Sequence, residues 1–337
     1  MKTYLAALCL VLVACGDTST ETDTLVADSS QPANDVVAAD TGSQVDPLEP
    51  PPEGKGFQVT MEATVPPFTE VWICDVYALP TDEVANVNYV EVQQTPGTHH
   101  LTLSTLSLSG GGGFAPGRYD CNDLYGDISV MEDQVMFYGN QGDAEHSMQM
   151  PEGVAAMIPP GLEVIHEMHY VNATDKEIDL YSRLNGWTIP GSDVVDGVWG
   201  GSVRDETIEI PPNSTKTEWS RCVFNRDVEV LFLASHTHEK GINFTIAPFD
   251  GETTGDVFYT NDDWHTPKIV QYEPPLVVPK GEGFEWSCTW KNTTDKTVNY
   301  GPNSTDEMCN LAVVHTPMDM TALCEVVETS DGVLWKQ

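Results

Sequence analysis

The sequence predicts an all-β protein in which two tandem antiparallel β-sandwich domains follow a disordered acidic linker. From Gly56 onward, apolar and polar residues alternate in short runs such as "FQVTMEATV", "HLTLSTLSL", "VEVLFLASH" and "INFTIAPF". Gly, Pro, Asn and Asp interrupt these runs about every 8 to 12 residues, and helical periodicity is nearly absent. Alternation with a period of two and turn residues at this spacing is typical of antiparallel sandwiches.

The boundary between the two domains is predicted from a lapse in this alternation. Gly and Pro become frequent in "NGWTIPGSDVVDGVWGG", residues 185–201, which is typical of a connecting segment. We therefore predict an N-terminal domain at residues 56–190 and a C-terminal domain at residues 191–337. No internal sequence repeat is evident, so we expect the two domains to be alike in architecture only.

The first 15 residues, "MKTYLAALCLVLVAC", combine Lys2, an apolar run and small residues before Cys15. This pattern predicts an export signal, which is too short to span a membrane as a stable helix. Residues 12–15, "LVAC", resemble a bacterial lipobox, which implies that Cys15 is lipidated and that the protein is anchored in the bacterial cell envelope, in the outer membrane, periplasm or cell surface. An ordinary secretory signal, with Cys15 as a leftover thiol, is the alternative.

Composition predicts a solvated tether and excludes some partners. Residues 16–55 are rich in Asp, Thr, Ser and Pro and contain no aromatic residue, so they cannot bury enough surface to fold. The 337-residue chain has 15 Lys and Arg against 52 Asp and Glu, a formal net charge of -37. This charge repels phosphate backbones and anionic head groups. We expect a monomer that binds no nucleic acid and meets the membrane only through its N-terminal lipid.

Six cysteines remain when Cys9 and Cys15 are set aside, at positions 74, 121, 222, 288, 309 and 324. An even number in an exported chain predicts three disulfides, and spacing alone does not give their pairing. Ligation of copper or zinc by thiolates is the alternative, although the sequence has no CxxC pair.

Two histidine-containing segments lie in the N-terminal half. In "GTHHLTLS", His99 and His100 open a predicted strand, where successive side chains point to opposite faces. Both can reach one ion only if the backbone is distorted or has not yet entered the strand. In "EVIHEMHYVN", the same parity puts His169 on the face of Glu167 and His166 on the opposite face. Surface or turn histidines are the alternative for His99 and His100, and parity does not decide which histidine of the second segment is functional.

The C-terminal half contains the pattern "ASHTHEKG". The spacing of His236 and His238 points both imidazoles to one side of a strand, which favours a metal site. "NSTDEMCNLAVV" adds Met308, whose thioether is a soft, weak ligand that suits Cu(I). Two histidines and one methionine would therefore bind copper. A surface pair and a core methionine are the alternatives.

The segments "THHLTL", "HEMHYVN", "SHTHEKG" and "DEMCNL", in this order, resemble the copper type II ascorbate-dependent monooxygenases. This is the family of dopamine β-monooxygenase and peptidylglycine α-hydroxylating monooxygenase. The resemblance covers most of residues 57–325. It implies two jelly-roll-like sandwich domains, each contributing one copper across an open cleft.

The resemblance also implies a set of site residues. The first copper would be held by His99, His100 and His169, and the second, O2-binding copper by His236, His238 and Met308. The remaining histidines have no counterpart among the ligands, so His166 is expected to be structural. The implied disulfides are Cys74–Cys121, Cys222–Cys324 and Cys288–Cys309. The boundary predicted from composition separates the two ligand sets. Whether Glu167 assists His169 or faces solvent stays open.

The activity implied by the resemblance is hydroxylation of a C–H bond in a small organic substrate, with O2, two coppers per chain and ascorbate as reductant. Peptide-amidating members have an Arg at the position of Ala234 and a Tyr at the position of Ala312, while Asn310 is retained. Without the Arg, a bidentate grip on a peptide carboxylate is lost, so peptide amidation is not expected. Two other hypotheses are a non-enzymatic copper-sequestering lipoprotein and a metal-free adhesion or sugar-binding module.

Overall fold

The structure is a computed structural model that describes residues 47–106, 114–125, 135–301 and 305–332. The predicted export signal, Cys15 and the tether as far as residue 46 lie outside these ranges. Strands dominate the described residues, and the helical segments among them are α1 (Cys121–Tyr125) and a 3-10 turn at Gly191–Asp193. The all-β prediction is confirmed. Among the described residues, no helix has the length and apolar character needed to cross a membrane.

The first half of the chain forms two sheets that pack face to face. One sheet has six strands, in the order β1 (Gly56–Val65), β10 (Ile178–Thr188), β3 (Ala85–Gln94), β8 (Val154–Ile158) and β11 (Asp196–Gly197), with β7 (Glu145–Gln149) also paired to β3. The other has five strands, in the order β5 (Gly117–Asp120), β2 (Thr69–Ala78), β9 (Glu163–Asn172), β4 (Thr98–Thr105) and β6 (Val135–Gln141). Alternate residues of both sheets, such as Val59 and Leu101, meet in a buried apolar core, as expected for a sandwich.

The second half repeats this architecture. One sheet has the order β12 (Trp199–Arg204), β21 (Asn310–Thr316), β15 (Val228–His236) and β18 (Ile269–Val278). The facing sheet has the order β17 (Tyr259–Asn261), β16 (Gly241–Phe249), β19 (Gly283–Asn292), β14 (Ser214–Phe224) and β22 (Cys324–Thr329). A short pair joins β13 (Glu209–Ile210) to β20 (Val298–Asn299). Trp286 and Trp290 of β19 are fully buried in the core between the two large sheets.

The chain passes from the sheets of the first half to those of the second half within residues 185–201, where the sequence predicts a connection. Strand β11 still pairs with the first half, through a short parallel contact with β8, and β12 pairs with the second half. The boundary between the two pairs of sheets therefore falls at Val198. The two halves are in contact, since Leu231, Phe232 and Val314 of the second half belong to the apolar core cluster that contains Phe57.

One corner is repeated in both halves, and at this corner the likeness of the two halves extends from architecture to sequence. Residues 159–176 and 279–296 share Pro, Gly, Asn, Thr, Asp and Lys at equivalent positions. The Asn172 amide donates to the carbonyls of Val65, Pro66 and Lys176. The Asn292 amide donates to those of Ile210, Pro211 and Lys296 in the same way. The repeat is obscured in the sequence because the strands before each Asn carry different core residues.

The three disulfide pairings are confirmed as Cys74–Cys121, Cys222–Cys324 and Cys288–Cys309. The first links β2 to α1, and the second links β14 to β22 within one sheet. The third ties β19 to Cys309, the residue that follows Met308. All six cysteines are buried.

Candidate metal centres

Three histidines of the first half converge on one point, where β4 begins and the neighbouring strand β9 approaches its end. The Nδ1 atom of His169 lies 3.2 Å from Nδ1 of His99 and 3.3 Å from Nε2 of His100. Nδ1 of His169 has either one proton or one lone pair, so it can form a hydrogen bond with only one of these two nitrogens, and hydrogen bonding does not satisfy the trio. We call this cluster the first centre.

A β-bulge explains how His99 and His100 reach the same point. Along β4, Thr98 pairs with Tyr170 and His100 pairs with His169, which leaves His99 without a partner residue on β9. The extra residue breaks the alternation that would send two successive side chains to opposite faces. The structure therefore contains the backbone distortion that the sequence requires if both histidines are to bind one ion.

The nitrogen spacing fits a bound metal ion. Imidazole nitrogens at about 2.0 Å from an ion and at a tetrahedral angle lie about 3.3 Å apart. The two separations in the structure, 3.2 Å and 3.3 Å, match this value. Burial lowers the pKa of His99 to about 3, with smaller contributions from His169 and from two histidines of the second half. It also holds the pKa of His100 well below its usual range. Both rings are therefore neutral near pH 7, the form that binds metals.

Carboxylates flank two of these rings. The buried Glu167 accepts hydrogen bonds from Trp72 Nε1 at 2.8 Å and from the Tyr125 hydroxyl at 2.7 Å. Its Oε1 lies 3.3 Å from His100 Nδ1. On the outer side, His169 Nε2 lies 2.7 Å from Oε1 of the exposed Glu70. Glu167 therefore faces the centre and not solvent.

The second predicted ligand set lies where β15 ends. The rings of His236 and His238 have their centroids 5.2 Å apart at an interplanar angle of 86°. The Nδ1 atom of His238 is 3.0 Å from the backbone carbonyl of Asp306. Because this carbonyl can only accept, Nδ1 carries the proton and Nε2 is left with its lone pair for a metal. Burial lowers the pKa of His236 to about 3, so this ring is neutral as well.

Glu307 holds the turn that carries His238. This carboxylate is fully buried and accepts the backbone N–H of His238 at 2.9 Å and that of Lys240 at 2.7 Å. Burial raises the pKa of Glu307 to about 7. Sequence reasoning did not single out this residue, although its position directly before a predicted methionine ligand was a signal.

Two contacts bring the backbone next to Met308 close to the histidine pair. His236 pairs with Asn310 across β15 and β21, and the backbone N–H of His238 donates to the side chain of Glu307, the residue before Met308. The Asn310 amide donates to the Met308 sulfur at 3.3 Å. The side chain of Met308 is half-buried, and the adjacent Cys309 is fixed by its disulfide. Two imidazoles and a thioether form a donor set that suits copper. We call this group the second centre.

The two departures from the peptide-amidating pattern are neighbours. Ala234 and Ala312 are directly opposite each other on β15 and β21, and both are buried. Their strand positions put them on the same face as His236 and Asn310. Two small apolar side chains therefore occupy the positions at which the peptide-amidating pattern has an Arg and a Tyr.

A loop of the second half contacts the first centre, which the sequence did not predict. The backbone carbonyl of Trp264 accepts a hydrogen bond from the Gln141 side chain at 3.0 Å. The ring centroids of Trp264 and His265 lie 6.0 Å and 6.2 Å from that of His99. His265 is thus near the site although the resemblance gives it no role. No local pattern could reveal this contact because it joins distant parts of the chain.

The remaining histidines are bonded elsewhere. His166 is fully buried between the Tyr77 hydroxyl at 3.1 Å and the Ser182 hydroxyl at 3.0 Å, on the face of β9 opposite the first centre. His146 lies 2.7 Å from the Tyr138 hydroxyl, and His315 Nε2 lies 3.2 Å from the Ala322 carbonyl. These contacts are structural.

Comparison with known proteins gives a match for the C-terminal half. No curated protein matches the chain. Solved structures that were matched include infectious bursal disease virus Gt strain, at 9% identity over 81% of this chain and 74% of that one, with a TM-score of 0.15. The Gx strain gives 11% identity over the same shares, with a TM-score of 0.16. These scores are too low to support a fold relationship. Residues 199–337 match the family model described as copper type II ascorbate-dependent monooxygenase, C-terminal domain.

Proposed function

We propose that this protein is an exported copper-dependent monooxygenase that hydroxylates a C–H bond of a small organic substrate, with O2 as oxidant and ascorbate as reductant. The observation that carries the proposal is the match of residues 199–337 to the C-terminal domain of that enzyme family. That range contains His236, His238 and Met308. The convergence of three imidazoles in the other half supports a second ion in the same chain.

Residues around the second centre would hold its copper ligands in position. At the second centre, Asp306 fixes the His238 tautomer and Asn310 orients the thioether of Met308. Two imidazoles and a weak thioether leave coordination positions for O2 and favour the reduced ion. Bound copper would supply the redox chemistry by which R–H, O2, two electrons and two protons yield R–OH and water, the electrons coming from ascorbate.

The substrate is proposed to be a small molecule that does not depend on a carboxylate for binding. Ala234 and Ala312 offer no charge and no hydrogen-bonding side chain beside the second centre. A buried carboxylate of a peptide would be left without a partner there, which costs binding energy. We therefore favour an uncharged or amine substrate over a glycine-extended peptide.

Turnover by the copper-loaded protein tests the proposal. A library of C–H donors is supplied with ascorbate and O2, and hydroxylated products are identified by mass spectrometry. We expect substrate-dependent O2 consumption, and we expect Met308→Ala to abolish product while copper remains at the first centre. Met320→Ala is the matched control, because Met320 is exposed and lies outside both centres. Two bound coppers with no product from any donor would favour the sequestering lipoprotein, and no stoichiometric copper would favour the adhesion module.

The cellular location is also proposed from the sequence. If residues 12–15 act as a lipobox, Cys15 carries a lipid and the acidic tether holds the folded part away from the membrane. Mass spectrometry of the membrane fraction should then find diacylated Cys15. A mature protein that is found in the soluble fraction and does not begin at Cys15 would contradict the lipid anchor, but it would not bear on the proposed enzyme activity.

A further inference from the structure

Glu167 is a buried carboxylate whose position is fixed by several donors at once. Its side chain is 5% exposed. Besides the bonds from Trp72 and Tyr125, its Oε2 lies 3.3 Å from the Thr102 hydroxyl. An indole N–H can only donate, so Oε1 acts as an acceptor toward Trp72. Burying a carboxylate is costly, and such an arrangement persists only when the group is well bonded.

His100 presents an unsatisfied nitrogen to this carboxylate. Its Nδ1 is buried and makes no hydrogen bond with any residue that the structure describes, while Glu167 Oε1 lies 3.3 Å away without the alignment of a hydrogen bond. The other nitrogen, Nε2, belongs to the converging trio. An imidazole that binds a metal through Nε2 carries its proton on Nδ1. Glu167 Oε1, at 3.3 Å, is an acceptor within reach of that proton.

We propose that Glu167 is a positioning residue of the first centre, which accepts the Nδ1–H of His100 when Nε2 holds copper and makes this centre favour Cu(II) over Cu(I). The inference rests on the proposed function, because it requires copper at His99, His100 and His169. The preference for Cu(II) follows from Coulomb attraction, since a nearby negative charge attracts a divalent ion about twice as strongly as a monovalent one.

Glu70 provides a matched comparison within the same centre. Its carboxylate lies 2.7 Å from Nε2 of His169, so both glutamates face the outer nitrogen of a predicted ligand. The side chain of Glu70 is 56% exposed, however, against 5% for Glu167. Water and salt screen an exposed charge, so its removal should change copper binding much less.

Competition against chelators measures the effect on each oxidation state. The full chain carrying His236→Ala and His238→Ala isolates the first centre, and Glu167→Gln or Glu70→Gln is added to it. Loss of an outer hydrogen-bond partner lowers metal affinity by about 10 to 100-fold. We therefore expect Glu167→Gln to weaken Cu(II) binding by about 10 to 100-fold and Cu(I) binding by only about 3 to 10-fold, because the attraction to the monovalent ion is about half as strong. Glu70→Gln should change both by less than about threefold.

The outcomes separate this inference from the function on which it rests. Unchanged Cu(II) affinity in Glu167→Gln, or equal weakening of both oxidation states, would overturn the role of Glu167 while leaving the copper centre intact. A parent chain that binds no copper would overturn the proposed function and the inference together.

A second measurement avoids substituting a buried residue. The wild-type protein loaded with diamagnetic Cu(I) is examined by 15N NMR of its histidine side chains. We expect the proton of His100 on Nδ1. A proton on Nε2 would overturn the proposal even if Glu167→Gln fails to fold.

Discussion

At the residue scale, Glu307 is the side chain that links the two parts of the second centre. It accepts two backbone amides from the turn of His238 and Lys240, and its own backbone precedes Met308. One buried carboxylate therefore sets the distance between the histidine turn and the methionine. Hydrogen bonds to charged groups contribute about 1.5 to 3 kcal/mol each.

Replacement of Glu307 by Gln should loosen this turn. Gln keeps one acceptor oxygen, so one of the two amides is left unpaired at a cost of about 1 to 3 kcal/mol in the free energy of unfolding. Copper binding at the second centre should weaken as well, because His238 is less well held. Urea unfolding and chelator competition measure the two effects. Glu239→Gln, in the same turn but exposed, is the control, and equal behaviour of the two variants would refute the assignment.

At the element scale, β9 shows how one strand serves two environments. Glu167 and His169 face the first centre, whereas His166 faces the core between Tyr77 and Ser182. Burial lowers the pKa of His166 to about 4, against about 6.5 for an ordinary histidine. Between these two values the unfolded chain binds a proton that the folded protein does not, so stability falls as the pH falls through this window.

The variant His166→Gln should therefore be less sensitive to acid. The wild type should lose about 2 to 3 kcal/mol more of its free energy of unfolding than the variant does when the pH is lowered from about 7.5 to about 4.5. Denaturant unfolding at the two pH values gives this difference directly. Parallel losses in both proteins would mean that His166 is not buried in its neutral form.

The repeated corner gives a second prediction for elements. Asn172 and Asn292 are each buried and each donate to three carbonyls that close a strand connection. Replacing either by Ala should lower the free energy of unfolding by at least about 2 kcal/mol, because buried carbonyls lose their donors. Thr293→Ala, one residue along and exposed, should change it by less than about 0.5 kcal/mol. If Asn172→Ala and Asn292→Ala lower the free energy of unfolding no more than Thr293→Ala does, these hydrogen bonds contribute little to stability.

Local patterns in the sequence were sufficient for some features and not for others. Alternation predicted the strands, and parity placed Glu167 and His169 on one face of β9, because both depend on neighbouring residues. The disulfide pairs came from resemblance and not from spacing. The bulge at His99 was required by the ligand hypothesis, but its place in the register depends on pairing with β9, about 70 residues away. The contact of Trp264 and His265 with His99 depends on packing between halves and has no local signal.

At the scale of the whole molecule, the two centres belong to different halves that share an apolar core. Phe232 lies in this shared cluster, and alternation along β15 puts it on the face of Ala234 and His236. Positive charge at His236 and His238 would lower the pKa of His100 further, although burial is the larger cause. Loading one centre with an ion should therefore affect the other through charge.

Copper content is the measurement that tests the central claim most directly. Elemental analysis of the purified, copper-reconstituted protein should give about two coppers per chain, as the ligand groups at the two centres require. Replacement of His99, His100 and His169 by Ala should leave one copper, and so should replacement of His236, His238 and Met308. A wild-type protein without stoichiometric copper, or one whose copper content is unchanged by both sets of substitutions, would contradict the account.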